Sequence, residues 1–111
     1  GLAKEVGEPG TLVGFENHSG TTYLGAGVKP LGTVLVGSGN NGRDKTEGAG
    51  YKNAIGCYLH GSLLPKNPHL ADWLLSKALE TSGQDGYLGK LRDEIELTAH
   101  HEALERARQT G

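Results

Sequence analysis

Ile55, Cys57 and Leu59 alternate with Gly56, Tyr58 and His60 along Ala54–His60. A period of two predicts a buried strand over that run. The run is apolar on both faces, so it is expected to be covered on both sides. His60 is its last residue, and Gly61 releases the chain. Upstream the apolar runs are shorter. Thr11–Asn17 reads as a strand through Leu12, Val13 and Phe15, Thr22–Leu24 as the partner in a short hairpin, and Thr33–Val36 as a second short strand. Residues 1–10 read as a loop, Gly25–Gly32 as a turn-rich connection, and Gly37–Gly50 as a long polar loop around the Asn40-Asn41-Gly42 turn signal. After Leu64 the period becomes helical. Asn67 suits an N-cap and Pro68 the first helical position, with Leu70, Trp73, Leu74 and Ala78 as the inner stripe and Gly83 as the stop. A second helix is predicted from about Leu88 to Gln109, with Leu91, Ile95 and Ala99 inward and Glu102 and Arg106 in favourable i,i+4 order.

Composition narrows the setting. With 111 residues the chain holds at most one domain, and its core is thin, with one Trp, one Phe and no Met. The 19 glycines show no fixed period, so they read as turns between short strands. A net charge of −2 with no basic stripe argues against nucleic acid and anionic membrane as partners. No apolar run reaches the roughly 18 residues of a membrane span, and no secretory signal is seen. One cysteine makes no internal disulfide, which fits a reducing cytoplasm. The chain begins with Gly1 rather than an initiator Met. The expectation is a piece of a longer protein whose N-terminal half completes the sheet, a processed whole protein being the plainer alternative.

The candidate chemistry centres on His60. In open α/β sheets ligands bind outside the carboxyl ends of strands. A neutral imidazole there can take a proton from a nucleophile and return it to a leaving group. Its plainer reading is a hydrogen-bonded structural histidine. Cys57 precedes it by an odd offset, which sends the two side chains to opposite faces and predicts Cys57 in the core. The nucleophile that His60 would serve is then not in this chain. Glu16-Asn17-His18 closes the first strand as a polar exit, or as a cluster at the same edge as His60. The five histidines lack His-x-x-x-His and Cys-x-x-Cys spacing, so no metal site is expected. Gly37–Gly42 lacks the Lys-Ser/Thr of a phosphate loop and leads into no helix.

Several motifs recur as a spaced set: Gly14-Phe15-Glu16-Asn17-His18-Ser19-Gly20, Gly39-Asn40-Asn41-Gly42, Glu47-Gly48 with Tyr51-Lys52-Asn53, and Tyr58-Leu59-His60-Gly61 with Leu64-Pro65-Lys66-Asn67-Pro68. Over about Val13 to Leu75 the chain resembles the C-terminal half of the cobyric-acid-synthase-like class I glutamine amidotransferases, nearest among them the glutaminase subunits of lipid II isoglutaminyl synthases. The resemblance implies an α/β fold: the C-terminal half of a flavodoxin-like three-layer domain, with a mixed sheet and two C-terminal helices. It implies hydrolysis of glutamine to glutamate and ammonia by a Cys–His pair. Ammonia would pass to a Mur-ligase-like partner that uses ATP and Mg to amidate the D-glutamate of lipid II, with no cofactor in this subunit. His60 matches the family's catalytic histidine. The nucleophilic cysteine of the family lies upstream of every residue present, so the 111 residues alone are expected to be inactive. Glu16 and His18 match a motif near the glutamine pocket and are carried over as candidate binding residues. Many class I enzymes place a Glu two residues after the histidine. Here that place is Ser62, which leaves a dyad, or an acid supplied from elsewhere such as the partner subunit.

The alternative substrate reading is the amidotransferase domain of a cobyric acid or cobyrinate a,c-diamide synthase. A third reading is a non-catalytic interaction module, for which the charged last helix speaks.

Overall fold

The structure is a computed structural model that describes residues 2–89 and 91–110. In chain order its elements are α1 (Leu2–Val6), β1 (Gly32–Thr33), β2 (Thr46–Glu47), β3 (Ala49–Tyr51), β4 (Ala54–Gly56), α2 (Leu63–Lys66), α3 (Pro68–Thr81) and α4 (Glu94–Thr110). The molecule is a small mixed α/β arrangement. Among the described residues there are two sheets, both two-stranded and antiparallel, β1 with β2 and β3 with β4.

The long Ala54–His60 strand is not formed. Regular pairing stops at Gly56, and the next ladder contact is an isolated antiparallel bridge between Phe15 and His60. Nor is the run buried: Ile55, Cys57, Tyr58 and Leu59 are half-buried, and Ala54 and His60 are exposed. A strand gains burial from neighbours on both faces, and β4 pairs with β3 alone. Thr11–Asn17 likewise reduces to the Phe15 bridge, and Thr22–Leu24 forms no strand. Of the predicted Thr33–Val36 strand only Thr33 is in regular structure, as the second residue of β1, and Val34–Val36 form no strand.

The polar loop hides structure. Its turn does join an antiparallel pair, with Gly32 opposite Glu47 and Thr33 opposite Thr46. Its end then folds back as a tight hairpin, β3–β4, around Lys52 and Asn53, with Tyr51 opposite Ala54. Residues 1–10 contain α1, whose Leu2 N–H reaches Pro30 O at 3.3 Å.

The helices follow the period more closely. α3 begins at Pro68 and its C-cap is Ser82, with Gly83 in the left-handed region beyond it. Leu70 is buried and Trp73 and Leu74 half-buried, but Ala78 is exposed. α4 starts six residues later than the predicted Leu88, at Glu94, and Lys90 lies outside the described residues. Its inner face is rotated from the expected one. Leu91 and Ile95 are 76% and 81% exposed, whereas His100 is fully buried beside the half-buried Ala99, Ala103 and Leu104. The ion pair of α4 is Arg108 with Glu105 at 3.9 Å, not Glu102 with Arg106.

Among the described residues the buried hydrophobic side chains are Val13, Leu31 and Leu70, and they share the interior with Asn40, Asn67 and His100. Polar side chains can occupy such positions when their hydrogen bonds are satisfied. Among the described residues no helix is long and apolar enough to cross a membrane.

Candidate active-site edge

His60 is held by its main chain. Its N–H donates to Phe15 O at 2.8 Å, and its carbonyl accepts the Phe15 N–H at 3.0 Å. Those two bonds form one hydrogen-bonded antiparallel pair. The two segments approach closely because Gly14 has no side chain: a Cβ there would lie 2.7 Å from Leu59 Cβ. Directly after His60 the chain turns through two left-handed residues, Gly61 at φ 81° and Ser62 at φ 62°. A Cβ on Gly61 would lie 2.6 Å from Phe15 Cδ2, so only glycine lets that ring close over the turn. Lys66 Nζ stands 4.5 Å from the centre of the same ring, on α2. For Ser62 the left-handed backbone costs about 1–2 kcal/mol. The sharp turn leaves His60 exposed at the edge, where a proton acceptor can meet a ligand.

Glu16 and His18 sit on the Phe15 side of this edge and are both engaged with the chain. Glu16 Oε1 accepts the Gly39 N–H at 2.6 Å and Oε2 the Ser38 N–H at 3.0 Å, which fastens the 37–39 loop. His18 stacks on Tyr58, with ring centres 3.6 Å apart and planes 6° from parallel. Its Nδ1 lies 2.9 Å from Gly20 O. A carbonyl only accepts, so Nδ1 carries the proton. The Tyr58 hydroxyl is 2.7 Å from Thr22 Oγ1. Glu16 is thereby fixed to the 37–39 loop and His18 to Tyr58, and among the described residues neither side chain hydrogen-bonds or stacks with His60.

Cys57 is half-buried rather than a core residue. Burial pushes its thiol pKa up, with the charge of Glu47 adding to the rise and a contact to Leu59 O opposing it. A nucleophilic cysteine needs the opposite shift. Among the described residues, no set of three or more His, Cys, Asp or Glu gathers as a metal-holding group.

A cavity of about 680 Å³ runs between residues 10–16, residues 31–37 and the inner flank of α4. Phe15, Leu59, Glu47 and Lys66 are on its wall, and His60 is not. Glu47 is 8% exposed; its Oε1 accepts the Tyr58 N–H at 2.8 Å, and its Oε2 is buried with no partner among the described residues.

The residue that sequence reading missed is Asn67. As predicted it is the N-cap residue of α3, but its side chain makes no capping bond. Instead Oδ1 accepts the Val13 N–H at 2.8 Å, and Nδ2 donates to Val13 O at 2.8 Å and to Leu63 O at 2.7 Å. An Asn before a Pro signals a cap whatever else it does, so nothing local in the sequence announces the two bonds to Val13, 54 residues away.

Comparison with known proteins bears on this edge. The profile of the CobB/CobQ-like glutamine amidotransferase domain matches residues 3–68, which include Glu16, His18, His60 and Asn67. The chain is 48% identical over 98 residues to the lipid II isoglutaminyl synthase (glutamine-hydrolyzing) subunit GatD of Staphylococcus aureus (strain N315), covering 88% of this chain and 40% of that protein. It is 46% identical over 84 residues to the subunit of the same name from Streptococcus pneumoniae (strain ATCC BAA-255 / R6), covering 75% of this chain and 32% of that protein. The chain thus spans well under half the length of the curated relatives it matches. More than half of its residues fall within the domain profile, and the chain belongs to the CobB/CobQ-like glutamine amidotransferase family.

Proposed function

We propose that this chain is the histidine-bearing, C-terminal part of one glutamine amidotransferase domain of flavodoxin-like three-layer form, acting in lipid II amidation in the cytoplasm. The observation that carries the reading is His60: an exposed imidazole anchored through its backbone at a converging edge, inside the region that the family profile matches. The names of the two relatives supply the substrate class.

The chemistry follows from a neutral imidazole beside a thiol. The thiol belongs to the portion of the domain outside these residues, because Cys57 is disfavoured as a thiolate. The imidazole of His60 takes the thiol proton, and the thiolate adds to the side-chain amide carbon of glutamine. The imidazolium returns that proton to the departing nitrogen, which leaves as ammonia, and water then hydrolyses the thioester to glutamate. Glu16 and His18 border the glutamine side of the edge, His18 through the Nε2 that Gly20 does not occupy. Ser62 supplies no carboxylate, so His60 acts in a Cys–His dyad or takes an orienting acid from another segment or from a synthetase subunit. Ammonia is consumed by a Mur-ligase-like partner that carries ATP and Mg.

The test uses the full-length protein with that partner and glutamine labelled with 15N in the side-chain amide. Label should appear in the carboxamide of lipid II D-glutamate and should be absent with His60→Ala. The family profile also favours a second reading, a cobyrinate or cobyric acid amidating enzyme. Label entering a corrinoid carboxamide and not lipid II would establish that reading in place of the first. Failure of either acceptor to gain label while the protein binds a partner stably would leave an interaction module.

A further inference from the structure

We infer that Asn67 is a positioning residue for His60, its side-chain amide serving as an extra rung of the ladder that holds the histidine. The inference rests on the proposed role of His60. Residues 13 and 15 of an extended segment present their N–H and C=O groups on the same edge. At Phe15 that edge pairs with the main chain of His60, N–H to O at 3.0 Å and O to N–H at 2.8 Å. At Val13 the same two groups pair with the carboxamide of Asn67, both bonds at 2.8 Å. A carboxamide offers one acceptor and a donor in the geometry of a peptide group, so it continues the pairing where no strand is available.

The second Nδ2 proton adds the other half of the clamp. It goes to Leu63 O at 2.7 Å, at the start of α2. α2 begins directly after the Gly61–Ser62 turn that carries the chain away from His60. One fully buried side chain therefore holds both the segment that pairs with His60 and the helix that follows it. His60 is exposed, and the bonds that fix it are those of its backbone. Shifting the edge at Val13 or the start of α2 shifts the imidazole. Misplacement of a reacting group by about 1 Å can cost about 100-fold in rate.

The experiment uses the full-length glutaminase with its synthetase partner and compares wild type, Asn67→Asp and His60→Ala. Asp keeps the shape and the acceptor but places an oxygen against Val13 O and Leu63 O. Active sites are counted by titrating the nucleophilic thiol with an alkylating glutamine analogue, so that rates are per folded site. Asn67→Asp should lower kcat per titrated site by about 10- to 100-fold with KM nearly unchanged. Wild-type kcat per site in Asn67→Asp, with His60→Ala inactive, overturns this inference and leaves the proposed function standing. Activity retained in His60→Ala overturns both. Should Asn67→Asp fail to fold, amide exchange in the wild-type protein decides. Val13, Phe15 and His60 protected as one unit supports the clamp, and Val13 exchanging freely while His60 is protected overturns it.

Discussion

Asn40 shows how single side chains replace regular structure in this chain. It is 2% exposed, and its amide donates to Gly48 O and to Thr46 Oγ1 while its oxygen accepts the Gly48 N–H. Asn41 beside it donates to Thr22 O and accepts the N–H groups of Arg43 and Asp44. The dipeptide reads as a turn within the polar loop Gly37–Gly50, and the turn forms there, but the same stretch also contains the strand β2. A turn signal does not announce that the Asn40 amide fastens the returning strand at Thr46 and Gly48, or that the Asn41 amide reaches back 19 residues to Thr22 O. Each buried backbone group left unpaired costs about 1–3 kcal/mol. Asn40→Ala orphans both polar groups of Gly48 and should destabilise the full-length protein by about 2–4 kcal/mol, read from the midpoint of urea unfolding. Asn53→Ala, at an exposed hairpin turn, should change it little.

At the scale of elements, α4 is docked by a histidine rather than by its leucines. His100 is fully buried; its Nδ1 lies 2.8 Å from Lys66 O and its Nε2 2.8 Å from Thr11 Oγ1. The carbonyl requires a proton on Nδ1, and in the neutral ring that leaves Nε2 to accept from the Thr11 hydroxyl. His69 joins them from α3, donating from Nε2 to Thr11 O at 2.6 Å. Its ring is 5.2 Å from that of His100. Burial lowers the pKa of both below the usual 6.5; for His69 the Thr11 bond and Asp72 oppose the drop, and for His100 the Lys66 bond opposes it while His69 and His101 add to it. The unfolded chain therefore binds more protons than the folded one as pH falls below about 6.5. Stability should be full above that pH and decline below it, and His100→Gln should flatten the decline in melting temperature between pH 7 and pH 5. A profile equally steep in His100→Gln would show that other groups carry the effect. The periodicity gave the existence of α3 and α4, since helical spacing is local. It misassigned the inner face of α4 because Leu91 and Ile95 look like core residues, whereas hydrogen bonds to Lys66 and Thr11 decide which way the helix turns.

For the whole molecule, the core is as thin as the composition suggested. Three buried hydrophobic side chains hold the described structure together, while Phe15, Leu35, Tyr87, Leu91 and Ile95 are exposed at 65%, 65%, 78%, 76% and 81%. Apolar surface of that extent marks contact sites or aggregation. The 111 residues alone should self-associate in sedimentation velocity, whereas the full-length protein bound to its partner should not. A monodisperse, cooperatively melting monomer of these residues would contradict this. The long strand failed for the same reason: its period was genuine, but regular pairing needs neighbours, and here β3 alone lies beside β4. His60 was legible as the last residue of an apolar run before a glycine, and the motif set gave the family. The clamp through Asn67 was not legible, because two of its three bonds reach Val13, 54 residues away.

The central claim is that the His60 imidazole serves as the proton-transfer group in glutamine hydrolysis. It is tested most directly by the rate of glutamate release from the full-length protein with its partner, wild type beside His60→Ala, both shown by circular dichroism to be folded. Loss of a positioned acid–base group should slow release by about 10²- to 10⁴-fold, with glutamine still bound. A folded His60→Ala protein releasing glutamate within a few-fold of the wild-type rate would contradict the account.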